Sequence, residues 1–188
     1  MHVLSSCSVA LDQGQLTWRH NSALRGVIDL IRPHLSAGMR LYSDLPGFLA
    51  PNGGSIPPHV LVTKLRPNIF IFNEISREAV IFELTCPWDS NVDRSHTFKE
   101  EKCAPLVAIL TRTYKTSLFL VEVSVRGQVT ANNKKHLKAF VYRVCDEPKI
   151  VFKSMITTVL KILLVSLFSI FTARAEPSWT DPPLLPHV

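Results

Sequence analysis

Two runs rich in β-branched and aromatic residues constrain this chain most: LVTKLRPNIFIFN at 61–73 and EAVIFELTCPW at 78–88, linked through the polar turn EISRE. Such runs bounded by turn residues favour strands, and so close a pair predicts a hairpin. A hairpin alone is marginal in water, so further layers must cover its apolar side chains. The flanking sequence supplies them. Residues 20–35 are apolar at 24, 27, 28, 31 and 35, a helical spacing with Asn21 or Ser22 placed to cap the start. MRLYSDLPGF at 39–48 predicts a short strand, followed by the Gly- and Pro-rich loop APNGGSIPPH. Residues 91–114 predict a helix that Pro105 kinks or divides. SLFLVEVSV at 117–125 predicts a strand, and 132–145 a basic amphipathic helix. The order helix, three strands, helix, strand, helix predicts an α/β domain with a mixed sheet flanked by helices.

The C-terminal part changes character. MITTVLKILLVSLFSIFTA, residues 155–173, holds one charge, Lys161, in nineteen residues, which is the length of a membrane span. Polar residues at 154, 158, 161, 166, 169 and 172 nevertheless recur every three to five positions. Most fall opposite Ile156, Val159, Leu160, Leu163, Leu167 and Ile170, a pattern that predicts a packed amphipathic helix. A small single-pass membrane protein anchored by 155–173 is the competing reading. The proline-rich end EPSWTDPPLLPHV predicts an unstructured tail. The expected division is therefore a leading segment at 1–17, a globular domain at 18–148, an apolar helix at 149–174 and a disordered tail at 175–188.

A formal charge of +6 points towards anionic partners, DNA or an acidic membrane surface. Four widely spaced cysteines without a C-x-x-C pair make a poor disulfide framework and suggest reduced thiols in the nucleus or cytoplasm, with the membrane as the alternative location. The N-terminus lacks the basic and apolar regions of a secretory signal. No small-molecule substrate is expected.

The chemistry, if any, gathers on the hairpin. Position 68 follows Arg66-Pro67 at a strand start, and Glu83 lies on the next strand. Adjacent strands run about 4.8 Å apart, so side chains there can share one hard cation. Asn68 offers a neutral oxygen where a carboxylate would bind better; Asp44 is a further acid nearby, either ligand or turn former. Lys99 and Lys102 sit one helical turn apart and could polarise an attacking water, or simply line a solvated face beside Glu100 and Glu101. Lys134, Lys135, His136 and Lys138 are either a solvated face or part of a phosphate-contacting surface with Arg19, Lys64 and Arg66. His20 reads as a structural histidine or as a DNA contact.

Taken in order, HVLSSC at 2–7, WRHNSALRGVIDLI at 18–31, SDLPG at 43–47, IPPHVLVTKLRPNIFIF at 56–72, FELTCPW at 82–88 and KEEKCAPL at 99–106 resemble a known family. The chain is similar to the C-terminal restriction-like endonuclease region of non-LTR retrotransposon polyproteins, within the PD-(D/E)XK nuclease superfamily. The resemblance covers roughly residues 1–130. It implies a restriction-endonuclease-like fold and, in an active member, Mg²⁺-dependent DNA cleavage. It maps the metal ligands onto positions 68 and 83, and the catalytic roles onto Glu83 with Lys99 or Lys102. If the domain binds DNA, Arg19, His20, Lys64 and Arg66 are the candidate contacts. Two departures stand out: Asn68 replaces the aspartate, and Thr85 replaces the lysine two residues after the glutamate. His2 and Cys7 match half of a zinc knuckle, too few ligands for a structural zinc. The expectation is a degenerate endonuclease domain that keeps DNA binding, or an inert fragment of such an element.

Overall fold

The computed structural model describes residues 14–87, 89–124 and 129–172. The knuckle-like segment with His2 and Cys7 and the tail at 175–188 lie outside the described residues. Within them, the elements are α1 (Gln15–Ile31), β1 (Arg40–Ser43), β2 (Ile69–Asn73), β3 (Glu78–Thr85), α2 (Val92–Leu110), β4 (Lys115–Glu122), α3 (Ala131–Val144) and α4 (Pro148–Thr172). The four strands form one mixed sheet in the order β1-β2-β3-β4.

The hairpin forms as its composition requires, with Ile69 opposite Phe82 and Asn73 opposite Glu78. Its turn is set by Asn73, whose Oδ1 accepts from the amides of Ile75 (2.9 Å) and Ser76 (3.1 Å). Arg77 completes the reversal at φ 54°. The first run is strand only from Ile69, not from residue 61: Pro67 has no amide to donate, and Lys64 and Arg66 are exposed. β4 returns parallel to β3, with Glu83 beside Leu120 and Thr85 beside Glu122. A parallel return needs a crossover, and α2 provides it.

The pleat sends alternate residues to opposite faces. Phe70, Phe72, Ala79 and Ile81 face one side and pack with Leu106 and Leu110 of α2 and with Tyr114. Ile69, Ile71, Val80, Phe82 and Leu84 face the other, beneath α1, α3 and α4. There the rings of Phe82 and Phe140 lie 4.3 Å apart. Pro105 does not divide α2: the helix runs unbroken from Val92 to Leu110, and its buried residues, Cys103, Leu106 and Leu110, all lie in its second half.

Two further expectations are corrected. α1 begins at Gln15, not near residue 20, and neither Asn21 nor Ser22 caps it. The buried stripe already includes Trp18 and Ser22, and Gly14 at φ 76° makes the turn into the helix. α4 is a packed helix, but its polar residues do not form one outer stripe. Thr158 and Ser166 lie within the buried face beside Met155, Val159, Ile162 and Leu163. Ser166 is accommodated because its hydroxyl donates to the Leu163 carbonyl at 3.0 Å. α4 crosses α1 closely at Gly26, where a Cβ would collide with Cδ1 of Ile162.

Candidate functional site

The residues singled out on the hairpin meet where β2 begins and β3 ends. Asn68 stands one position before β2, and its side chain takes over where the backbone ladder stops. Its Oδ1 accepts from the Leu84 amide at 2.8 Å, while its own amide N–H donates to Oε1 of Glu83 at 3.3 Å. His20 reaches down from α1, with Nε2 3.0 Å from the Leu84 carbonyl and 3.3 Å from Asn68 Oδ1. A carbonyl only accepts, so Nε2 carries the proton and His20 ties α1 to the strand end.

Glu83 is 2% exposed. Its Oε2 forms an ion pair with Nζ of Lys99 on α2. Cys103, one helical turn further along, also faces this carboxylate; burial and then Glu83 push its thiol up to about 11. Asp44, just after β1, completes the group. Burial raises its carboxyl above the ordinary value; His20 opposes this and Glu83 adds to it, while the Asn68 side chain donates a hydrogen bond. Asp44 Oδ1 is buried without a hydrogen-bond partner.

The orientation of the Asn68 amide decides what this group can hold. Its oxygen is engaged by Leu84 and His20, so its NH₂ is the side turned to Asp44. An NH₂ presents protons, not lone pairs, and cannot ligate a cation. Turning the amide over would set that NH₂ against the Leu84 N–H, donor against donor. Both Glu83 oxygens are also engaged, one of them by a lysine. Among the described residues no group of three or more His, Cys, Asp or Glu is gathered to hold an ion. The residues as they stand do not fit Mg²⁺.

Lys102, paired with Lys99 in the sequence reading, is exposed; Lys99 is the lysine that reaches the acid. Lys64 and Arg66 are also exposed, and Arg66 Nη2 donates to the Gly53 carbonyl at 2.6 Å. Arg19 is 2% exposed, so it lies inside the domain and not on the surface where a phosphate contact was expected. Burial lowers the affinity of its guanidinium for a proton, and the nearby Cys86 opposes this. On α3, Lys134, Lys135 and Lys138 are exposed whereas His136 is half-buried.

A second polar group escaped the sequence reading. Glu122, at the end of β4, is 2% exposed, and its Oε1 accepts from His96 Nδ1 at 3.1 Å. Asn133 of α3 donates to the Glu122 carbonyl at 2.7 Å, and His136 Nδ1 lies 3.0 Å from the Leu120 carbonyl. Glu122 shares the sheet face of Glu83, two residues further along the neighbouring strand. An open pocket of about 350 Å³ lies against it, lined by residues that include Asp93, His96, Thr97, Thr130 and Asn132. The one available signal is an acid inside the strand expected at 117–125, which ends at Glu122 in the structure; its partners are separated from it by an amount no local pattern reveals.

The chain matches no protein-family model, and no curated protein is significantly similar to it.

Proposed function

We propose that this chain is a retroelement-derived, restriction-like endonuclease domain that has lost its metal ligand and retains a DNA-binding surface. The single observation that carries the reading is the convergence of Asn68, Glu83, Lys99 and Asp44 at one end of a mixed sheet. Four side chains from four parts of the chain meet there in a helix, three-strand, helix, strand order. Their types are those that Mg²⁺-assisted phosphodiester cleavage would use if position 68 were an aspartate. An aspartate would keep an acceptor for the Leu84 amide and turn a second carboxylate oxygen towards Asp44 and Glu83. In an active ancestor Lys99 would orient the attacking water; here it neutralises Glu83.

The test is plasmid nicking with Mg²⁺ and with Mn²⁺. The wild-type chain is expected to leave the plasmid intact and Asn68→Asp to nick it, with Glu83→Ala in that background abolishing the gain. Duplex binding, measured in parallel, should weaken steeply as salt rises. A well-folded Asn68→Asp variant that neither nicks nor binds duplex DNA overturns the proposal.

The membrane-anchored reading draws on α4, which is long enough for a span and holds an 18-residue window of mean hydropathy 2.0. Against it, Val151, Met155, Val159, Ile162 and Leu163 of that helix belong to the domain core, and insertion would strip them from α1. Carbonate extraction separates the two, because a packed helix predicts release into the supernatant.

A further inference from the structure

α4 is apolar on two sides, and packing inside the domain accounts for only one of them. Its inner face, Met155, Val159, Ile162, Leu163 and Ile170, is buried. A helix covered on one side ordinarily turns a charged and polar face to water. Here Leu164 and Val165 are 54% and 46% exposed, Ile150 is 61% exposed, and Leu160 and Leu167 are half-buried. The charge on the helix is of one sign. Pro148–Thr172 contains no Asp or Glu, and its three lysines, Lys149, Lys153 and Lys161, are all exposed. At about 3.6 residues per turn, Ile150, Lys153, Thr157, Lys161, Leu164 and Val165 share one outward arc.

We propose that this outer face of α4 docks on an acidic phospholipid surface, with the helix lying along the bilayer and its inner face still packed on α1. The combination of chemistries on the arc selects this partner. Lysines without an acid among them attract anionic headgroups, and their long stems let the ammonium groups stay there while apolar neighbours go deeper. Leu164 and Val165 then enter the boundary between headgroups and acyl chains. Duplex DNA would satisfy the lysines but offers the two aliphatic side chains only a charged backbone. A second copy of the chain would meet this arc with the same arc, setting lysine-bearing surfaces against each other. The formal charge of +6 on the whole chain adds a long-range attraction towards an anionic bilayer. Unlike insertion of α4 as a span, docking removes no core residue from the domain.

The test is co-sedimentation of the full chain with vesicles of phosphatidylcholine alone and of phosphatidylcholine mixed with phosphatidylserine. The wild-type chain is expected to bind the mixed vesicles, to come off them as salt rises, and to leave the neutral vesicles bare. Lys153→Gln and Lys161→Gln should each weaken binding about fivefold. Leu164→Ser combined with Val165→Ser should weaken it about tenfold or more. Lys115→Gln, which alters an exposed lysine on β4, should change nothing. All five positions are solvent-facing, so denaturation midpoints close to wild type are expected, and the salt response of the wild type stands without any variant. Equal binding to both kinds of vesicle, retention through alkaline carbonate, or binding unmoved by the α4 substitutions overturns the proposal. So does a dimer that the Leu164 and Val165 substitutions dissociate in sedimentation velocity, or a loss of duplex DNA binding in place of vesicle binding in the lysine variants.

Discussion

Lys99→Met tests whether Glu83 is a buried, wired carboxylate or an ordinary surface acid. The side chains of Glu83 and Lys99 are 1% and 15% exposed, so solvent screens the pair little. Removing one partner of a buried ion pair costs about 3–5 kcal/mol, because the surviving charge stays in a poorly solvating interior. The open end of Lys99 and the Asn68 amide at 3.3 Å soften the loss, which places the expectation near 3 kcal/mol. For a domain of this size that lowers Tm by about 6–12 °C. Urea unfolding followed by circular dichroism should show the midpoint falling with an unchanged slope. Glu83→Gln should cost less, since it removes the charge and keeps the shape. Lys99→Met added to Glu83→Gln should then cost about 1–3 kcal/mol less than it does alone. A Lys99→Met protein within about 1 kcal/mol of wild type would refute the reasoning, since losses that small are typical of exposed pairs.

Other consequences are equally direct. Asp44 has its carboxyl raised in the fold, so it favours the folded state below its unfolded value, about 3.9, and loses that advantage as pH rises. Asp44→Asn should therefore be more stable than wild type at pH 7, with the difference vanishing in acid; denaturation midpoints at pH 3 and pH 7 check this. In a Cys7→Ser background, the thiols of Cys86 and Cys103 (about 11) and Cys145 (about 12) should react with Ellman's reagent far more slowly at pH 8 than in the denatured chain. Gly26→Val should cost about 1–3 kcal/mol by forcing Ile162 off α1, and a Tm unchanged by this substitution would mean that α4 does not pack there. His20→Ala removes the hydrogen bond to the Leu84 carbonyl and should cost about 1 kcal/mol in the same assay.

Element order was legible because each element carries its own periodicity: Leu24, Val27, Ile28 and Ile31 on α1, and the apolar run SLFLVEVSV at 117–125, of which β4 keeps the part up to Glu122. Boundaries were less so. The composition of the first run predicts a strand from residue 61, although Pro67 prevents pairing until Ile69. On α4 a helical wheel cannot tell which polar groups find partners: Ser166 bonds within its own helix and is buried, while Leu164 and Phe168 face outward. Asn68, Glu83 and Lys99 could be named from sequence because strand starts, strand ends and helix turns are local. The direction of the Asn68 amide could not, since it depends on Leu84 and His20. The His96–Glu122–His136 group was invisible for the same reason: its members meet only once α2 and α3 have packed against opposite faces of β4.

The close crossing of α1 and α4 also has a consequence in time. α1 is made first among the described elements and α4 last, yet each covers the other's apolar face. At a synthesis rate of about 5–20 residues per second, roughly 7–28 s separate the emergence of the two helices. Throughout that interval the surface of α1 at Gly26 lacks its final cover, and the nascent chain is expected to bind holding chaperones. A ribosome stalled before residue 148 would leave that apolar face exposed and open to aggregation.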